Sequence, residues 1–239
     1  MANYCDPKTG ICTPSTTEEL TDIGQNILTE KLEIIYVGDP MCSWCWGISP
    51  TLIRLRDHFA KQNIAFKVLV GGLRPGGGDP WDTQMKEFLR HHWEQVNERS
   101  GQPFGYQLME LDEFNYDTEP ACRAVVAARP LVKEKEMEFF EAIQRKFYVD
   151  SQDPNKSTFY ASICDEFEIN YATFLARFES EAIKQETTEE FNLNRRWGVR
   201  GYPSVLLLNN DQLYQVANGY ATFEEMKGQV DNLLATEAK

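Results

Sequence analysis

The order of strand-like and helix-like segments constrains the fold of this chain more than any other feature. The apolar runs KLEIIYVG (31–38) and IAFKVLVGG (64–72) are typical of short buried strands, and the segment between them has helical periodicity. Strand patterns return only with SVLLLNN (204–210) and QLYQVANGY (212–220). Parallel neighbours need a helical crossover, whereas a short polar turn joins antiparallel strands. We therefore predict an α/β fold whose first two strands are parallel and whose last two form a hairpin.

A long helix-like block separates the two pairs of strands. Its segments are punctuated by glycine, proline and asparagine, and none of them has a clear strand pattern. We predict three parts: an N-terminal extension with its own cysteine pair over 1–31, an α/β domain made of 32–79 and 198–239, and a helical insertion over 80–197.

Two further helices are predicted outside that block. STTEELTDIGQNIL (15–28) reads as a helix in the N-terminal extension, and TFEEMKGQVDNLLATEA (222–238) reads as an amphipathic helix after the hairpin. Thr222 with Glu225 three residues later has the spacing of a capping box.

The charge of the chain excludes some classes of partner. With 37 acidic against 24 basic residues the net charge is −13, whereas a nucleic-acid-binding protein needs a basic footprint. No window approaches the roughly 18 uninterrupted apolar residues of a membrane helix, and the start of the chain has no apolar run of signal-peptide length. We expect no nucleic acid and no membrane among the partners, and a cytoplasmic location.

The two cysteines of DPMCSWCWG (39–47) stand just after the first strand pattern, where a helix is expected to begin. The free N–H groups and the positive dipole end of a helix N-terminus favour a thiolate, so we expect the pKa of Cys42 to lie below its usual value. A Cys42 thiolate can attack a disulfide, and Cys45, one turn later, can resolve the mixed disulfide. This pair is predicted to be redox-active.

Two other interpretations of these cysteines stay open. Zinc could bind Cys42 and Cys45 if Cys5 and Cys12 supplied the remaining thiolates, although six residues between Cys5 and Cys12 exceed the usual ligand spacing. The pair could also be inert. A disulfide scaffold is not indicated, because six cysteines are few for a chain of 239 residues.

A second motif, WGVRGYPSV (197–205), places Pro203 directly before the third strand pattern. Together, DPMCSWCWG, the helical insertion and GYPSV resemble the DsbA-type thioredoxin-fold oxidoreductases, in particular their cytoplasmic FrnE-like branch. CDPKTGIC (5–12) and TEPACRAVVAAR (118–129) are also similar to that branch. The resemblance covers nearly the whole chain. It implies a thioredoxin fold with a large helical insertion between the second and third core strands.

The resemblance also implies roles for single residues. Cys42 would be the nucleophile, Cys45 the resolving thiol, and Pro203 the cis proline of a peptide-binding groove beside the cysteine pair. The residues that would tune the redox potential are Ser43 and Trp44, and those that would contact substrate are Pro203, Tyr202 and Trp44.

The chain departs from the thioredoxin-like pattern at one position. Many such enzymes have a buried acid six residues before the nucleophile, which assists proton transfer to the resolving cysteine. Tyr36 occupies that position here, and Asp39, in a turn-forming Gly-Asp-Pro triplet, is expected to be exposed. The proton route to Cys45 therefore stays open. Of the tryptophans that flank Cys45, Trp44 and Trp46, one is expected to be exposed as a substrate contact.

The other cysteines support weaker predictions. Cys5 and Cys12 enclose the turn-rich DPKTGI, and a second redox pair and a simple disulfide staple are equally good interpretations. Cys122 and Cys164 lie among apolar residues on helix-like segments, so we expect both to be core residues.

Taken with the resemblance, these features predict a thiol–disulfide oxidoreductase or protein disulfide isomerase that acts on protein or peptide thiols. We expect no bound cofactor and no metal, with electrons exchanged through a thiol system such as glutathione or thioredoxin. One alternative is a kappa-class-like glutathione transferase or isomerase, a class with a similar fold but a serine at the redox motif. The other is a zinc-stabilised, non-enzymatic binding module that uses the four N-terminal cysteines.

Overall fold

The computed structural model describes residues 5–6, 8, 11–12 and 32–237 of the chain. Near the N-terminus two short strands, β1 (Cys5–Asp6) and β2 (Ile11–Cys12), pair in the antiparallel direction. The helix predicted over 15–28 lies outside the described residues.

A four-stranded mixed sheet forms the core. Its strands are β3 (Glu33–Gly38), β4 (Ala65–Val70), β5 (Ser204–Asn209) and β6 (Gln212–Asn218), in the spatial order β4-β3-β5-β6. β3 is parallel to β4, whereas β5 is antiparallel to both β3 and β6. The parallel first pair and the final hairpin are confirmed.

Two helices belong to this α/β unit. α1 (Ser43–Ala60) connects β3 to β4, and α8 (Phe223–Glu237) follows β6 and packs on α1. The capping box of α8 is confirmed: the Thr222 N–H donates to Glu225 Oε2 at 2.8 Å, and the Glu225 N–H donates to Thr222 Oγ1 at 3.3 Å.

The helical insertion between the second and third strands of the core sheet is also confirmed. It consists of α2 (Thr83–Ser100), α3 (Glu119–Val132), α4 (Glu136–Tyr148), α5 (Ala161–Glu166), α6 (Tyr171–Phe178), α7 (Glu181–Arg196) and 3₁₀ turns at Gln107–Glu110 and Ser157–Tyr160. The bounds at 80 and 197 stay a prediction, and α2 and α4 pack directly on α1 of the core. Among residues 32–237, no helix is both long and apolar enough to cross a bilayer.

Side chains of the insertion cover the free edge of β4. The Val70 N–H donates to Glu190 Oε2 at 2.9 Å, and the Val70 carbonyl accepts from Asn194 Nδ2 at 2.7 Å. Arg129 pairs with Glu190 at 2.5 Å and donates to the Val68 carbonyl at 3.2 Å. Because an uncovered edge strand leaves buried backbone groups unsatisfied, these contacts fix the insertion on the sheet.

Candidate functional site

Cys42 and Cys45 lie at the N-terminus of α1, as the sequence predicted. Cys42 is the N-cap residue, with extended backbone angles of φ −91° and ψ 118°, and Cys45 lies in the first turn. The Cys42 N–H donates to the Asp39 carbonyl at 3.0 Å, and the Cys42 carbonyl accepts from the Trp46 N–H at 3.1 Å. Both thiols are free, and both residues are completely buried. The sequence pattern gave no indication of this burial.

The loop before β5 faces the first of these thiols. The Tyr202–Pro203 peptide bond is cis, as the resemblance implied, and the Cys42 thiol donates to the Tyr202 carbonyl at 3.7 Å. The Tyr202 ring is buried and its hydroxyl donates to the Gly71 carbonyl at 2.5 Å. In this closed arrangement the backbone of Tyr202, rather than its ring, is directed at the sulfur.

The expectation of a lowered pKa for Cys42 is wrong for the closed thiol. Burial raises the pKa of Cys42 well above its usual value, and the neighbouring Cys45 and the charge of Asp39 raise it further. The backbone amide of Cys45 opposes this increase. The prediction considered the helix N-terminus, but the free energy of placing a thiolate where no water reaches it is the larger effect.

Asp39 is not in an exposed turn, as was predicted, but fully buried. Its Oδ1 accepts from the Met41 N–H at 2.8 Å, and its Oδ2 accepts from the Leu73 N–H at 2.7 Å. The Asp39 N–H points at Cys45 Sγ, 3.5 Å away. The Gly-Asp-Pro triplet does form a turn, but the chain after β4 packs over it.

Tyr36 occupies the place of the buried acid found in many thioredoxin-like enzymes. Its hydroxyl lies over Gly38, where a Cβ would stand only 2.0 Å from the oxygen, so the close approach requires glycine. Burial and the nearby Cys45 raise the pKa of Tyr36 well above its usual value. Tyr36 is therefore a neutral hydroxyl beside Cys45 and carries no charge at neutral pH.

The residues between and after the two cysteines are all covered. Ser43, Trp44 and Trp46 are buried, so the expectation that one tryptophan is exposed is wrong. The Trp44 ring packs at 5.7 Å from that of Tyr220, and Trp46 Nε1 donates to the Pro103 carbonyl at 3.0 Å. The insertion and the segment after β6 supply this cover, which a local pattern does not reveal. The tuning and substrate-binding roles of Ser43 and Trp44 stay predictions.

A small cavity of about 20 Å³ adjoins the site. Such a volume has room for about one water molecule and for no peptide or tripeptide thiol. A substrate must therefore reach Cys42 through an opening of the surrounding chain. The polar side chains that line the cavity are Ser43, Arg74, His92 and Tyr116.

Cys122 meets the site from the insertion. It is completely buried near the start of α3, as predicted, but its thiol donates to Asp39 Oδ2 at 3.4 Å across 83 residues of sequence. Burial and the Asp39 carboxylate raise the pKa of Cys122 well above its usual value. Cys164 is also buried, as predicted, and burial raises its pKa to about 11. Sequence gave no signal that Cys122 contacts Asp39.

The N-terminal cysteines are described only through their backbone. Cys5 and Cys12 are directly opposite each other in the antiparallel pairing of β1 and β2. Within the part of the chain that the structure describes, no group of three or more His, Cys, Asp or Glu side chains is arranged to hold a metal ion.

Comparisons with known proteins agree with this geometry. The sequence profile of the thioredoxin family matches residues 35–227. The crystal structure of a putative protein disulfide isomerase from Nitrosomonas europaea is similar, with 32% identity and a TM-score of 0.78, and the match covers 87% of this chain and 99% of that one. No curated protein matches the chain.

Two more distant structures share the fold. The cytosolic disulfide reductase DsbM from Pseudomonas aeruginosa is 20% identical with a TM-score of 0.67, over 87% of this chain and 100% of that one. The oxidoreductase NmDsbA1 from N. meningitidis is 12% identical with a TM-score of 0.54, over 95% of this chain and 91% of that one. At these identities the likeness shows the fold alone.

Proposed function

The chain belongs to the DsbA-like thioredoxin-fold oxidoreductases, and we propose that it exchanges disulfides with protein or peptide thiols through Cys42 and Cys45. One observation carries the proposal: a free thiol caps α1 at the end of β3 and lies 3.7 Å from the carbonyl that precedes a cis proline. A second free thiol follows within the same helical turn. This is the arrangement that a two-step exchange requires.

The exchange proceeds through a mixed disulfide. The Cys42 thiolate attacks one sulfur of a substrate disulfide, and the other substrate sulfur leaves and takes a proton. Cys45 then attacks Cys42 Sγ, and the second substrate sulfur leaves as a thiol. Two electrons and two protons have passed to the substrate, and Cys42 and Cys45 share a disulfide. The reverse sequence oxidises a substrate dithiol.

The Tyr202 carbonyl has a role in this sequence. In the reduced protein it accepts the hydrogen of Cys42 Sγ. Once that sulfur is bonded to a substrate, the carbonyl is free to accept an N–H from the substrate backbone next to the reacting sulfur. Pro203, held beside it in the cis form, completes this binding edge.

A small thiol system supplies or removes the electrons. We propose glutathione or thioredoxin for this role, in the cytoplasm, where such thiols keep cysteines reduced. Two findings support the choice: DsbM is a cytosolic disulfide reductase, and a structure of DsbM with GSH is similar to this chain, with 22% identity and a TM-score of 0.65 over 86% of this chain and 98% of that one.

The test is a glutathione redox titration in which alkylation and mass spectrometry report each cysteine separately. Cys42 and Cys45 are expected to interconvert together as a two-electron pair, while Cys164 stays a thiol throughout. A Cys164→Ser variant is the control for the alkylation chemistry. If Cys42 and Cys45 remain unreactive over the whole range in folded protein, the proposal is wrong. Zinc in stoichiometric amount in that unreactive protein would then favour the binding-module alternative.

A further inference from the structure

A buried carboxylate, Asp39, lies beside the motif cysteines, and a third thiol, Cys122, contacts that carboxylate from the insertion. Asp39 forms the turn that leads into α1: its carbonyl accepts from the Cys42 N–H at 3.0 Å, and its N–H points at Cys45 Sγ at 3.5 Å. On its other side, Oδ2 accepts from the Cys122 thiol at 3.4 Å. Asp39 therefore contacts both α1 and α3. It also contacts the segment that follows β4, through the Leu73 N–H.

The contacts of Asp39 favour its charged form. Backbone N–H groups of Met41 and Leu73 donate to the two oxygens at 2.8 and 2.7 Å, and the Cys122 thiol adds a third donor. A carboxylate accepts all three hydrogen bonds, whereas a protonated carboxyl has one fewer good acceptor. Burial raises the pKa of Asp39 from its usual value, and the N–H donors of Leu73 and Met41 lower it, as do the side chains of Thr118 and Cys122.

A negative charge at this position acts against a thiolate. Cys42 and Cys45 are completely buried, so little water screens them from the carboxylate one turn away. A second negative charge in such a site is disfavoured, and the nearby like charge raises the thiol pKa. Asp39 raises the pKa of Cys42 and of Cys122, in addition to the effect of burial.

We propose that Asp39, positioned by Cys122 and by the amides of Met41 and Leu73, disfavours the thiolate of Cys42 beyond the effect of burial and so shifts the Cys42–Cys45 pair toward donating electrons. Asp39 and Cys122 are positioning residues, since neither is required to touch substrate. The inference rests on the proposed function and deepens it, because it gives the direction in which Asp39 biases electron flow.

The direction follows from the redox balance. The reduced protein and glutathione disulfide give the protein disulfide and two glutathione thiols, so two electrons and two protons leave the protein. In DsbA a stabilised reduced form makes the protein a strong oxidant. Here the Asp39 carboxylate disfavours the Cys42 thiolate, so the reduced form is not stabilised by ionisation of that thiol. Relative to a protein with a neutral residue at position 39, the equilibrium is therefore shifted toward donation of electrons at any pH where that protein would hold a thiolate.

Other titratable groups face the same centre, and none of them replaces Asp39. From the elements packed around it these are Tyr36, Cys45, Tyr116, Cys122, Tyr148 and Tyr202, and the pKa values of all four tyrosines are raised, first of all by burial. The cation of Arg74 lies 5.5 Å from the centre of the Tyr116 ring. At neutral pH the tyrosines are uncharged, so among the described residues Asp39 is the carboxylate that acts on Cys42.

The test compares wild type with Asp39→Asn. The pH profile of Cys42 alkylation, read by mass spectrometry, is expected to shift at least one pH unit downward, a tenfold increase in the ionisation constant. Near neutral pH the attack rate rises only about threefold, because nucleophilicity falls as thiol pKa falls. An unchanged profile in folded Asp39→Asn would overturn the inference.

The glutathione equilibrium supplies a second readout from the same pair of proteins. Relative to wild type, Asp39→Asn is expected to favour the reduced protein progressively as pH rises. The ratio of the two glutathione equilibrium constants should reach about tenfold, or about 30 mV in potential, once the Cys42 thiolate of the variant is populated. If the glutathione equilibrium constants of the two proteins remain equal at a pH where alkylation shows that the Cys42 thiolate of Asp39→Asn is populated, the inference is contradicted.

A measurement on the wild type covers the case in which Asp39→Asn does not fold. The ¹³C shift of the Asp39 carboxyl carbon is expected to show a carboxylate at pH 7, and a neutral carboxyl at pH 7 to 8 would overturn the inference. Cys122→Ala is expected to raise the pKa of Asp39, whereas Cys122→Ser retains a donor and the wild-type titration. Cys164 is the matched buried cysteine, and Cys164→Ser is expected to change neither the ¹³C shift nor the pKa of Asp39.

The failure of this inference differs from failure of the proposed function. If Cys42 and Cys45 interconvert with glutathione but Asp39→Asn leaves the alkylation profile unchanged, only the role of Asp39 is wrong. If the two cysteines do not interconvert in either protein, the proposed function is wrong, and with it the inference.

Discussion

The thiol of Cys42 donates a hydrogen bond to the carbonyl oxygen of Tyr202 at 3.7 Å, although 160 residues separate the two in sequence. The contact joins the strand-to-helix turn of the N-terminal half to the cis-proline loop of the C-terminal half. Both residues are buried. The two motifs thus form one closed site in the reduced protein.

The stability of the reduced protein is expected to fall at alkaline pH. The native pKa values of Cys42, Cys122 and Cys164 are raised by burial, the last to about 11, whereas an unfolded cysteine titrates near 8.5. Above about pH 8.5 the unfolded chain releases protons that the native protein retains, so the free energy of unfolding decreases as pH rises toward the native pKa values. Urea unfolding at pH 7.5, 9 and 10 measures this slope.

Cys164→Ser is the control for that slope. It removes one of the thiols whose pKa is raised and leaves Asp39 unchanged. The free energy of unfolding should therefore decrease less between pH 9 and 10 than in wild type. A free energy of unfolding that stays constant or increases over this range contradicts the burial of the thiols.

Arg129→Met is expected to destabilise the protein by about 3 kcal/mol, since it leaves the Glu190 carboxylate buried without its partner. Glu190 is 8% exposed, contacts Arg129 at 2.5 Å and accepts from the Val70 N–H on the edge of β4. Chemical unfolding measures the change. The matched control is Lys184→Met, which removes an exposed ion pair with Glu181 and should cost less than about 1 kcal/mol. Equal losses of unfolding free energy in the two variants would mean that the Arg129–Glu190 pair stabilises the protein no more than an exposed ion pair does.

Gly71→Ala is expected to reduce both stability and exchange activity. A Cβ at Gly71 would lie 2.5 Å from the Tyr202 ring, so Tyr202 would shift and take its carbonyl away from Cys42. Such overpacking costs about 1–3 kcal/mol. The same substitution at Gly228 in α8 meets nothing within 4 Å and should stabilise the helix by up to about 1 kcal/mol. Unfolding and thiol-exchange rates of both variants test the contrast; full activity in Gly71→Ala would argue against a role for the Tyr202 carbonyl.

Cys5 and Cys12 are expected to close as a disulfide when the protein is exposed to glutathione disulfide. Residues directly opposite in an antiparallel pair have Cα atoms about 4.5–5.5 Å apart, within the range that a disulfide spans. Peptide mapping without reduction would identify the linked pair. Persistent free thiols at both positions under conditions that oxidise Cys42 and Cys45 would show that the prediction is wrong.

The topology and the position of the cysteine pair could be predicted because they depend on local signals. Periodicity in β3, α1 and β4 fixes the crossover, the hairpin turn has left-handed Asn210 and Asp211, and Thr222 caps α8 through its own side chain. Each of these features is decided by residues within one element or one turn.

The electrostatics of the site could not be predicted, because contacts between distant segments determine them. The turn residues around Asp39 predict a turn but not that Leu73 and Cys122 cover it. For the same reason the pKa of Cys42 was expected to fall, although burial raises it. The resemblance supplied the cis proline, which a tyrosine–proline pair alone does not establish.

The most direct test of disulfide exchange at this site is to trap the mixed disulfide. Cys45→Ser removes the thiol that resolves the intermediate, so incubation with glutathione disulfide should leave glutathione bound to Cys42 in nearly all molecules, identified by intact mass and peptide mapping. Cys42→Ser should accumulate none at position 45 on the same timescale. An absence of adduct in folded Cys45→Ser, or equal adduct in the two variants, would contradict the assignment of Cys42 as the nucleophile.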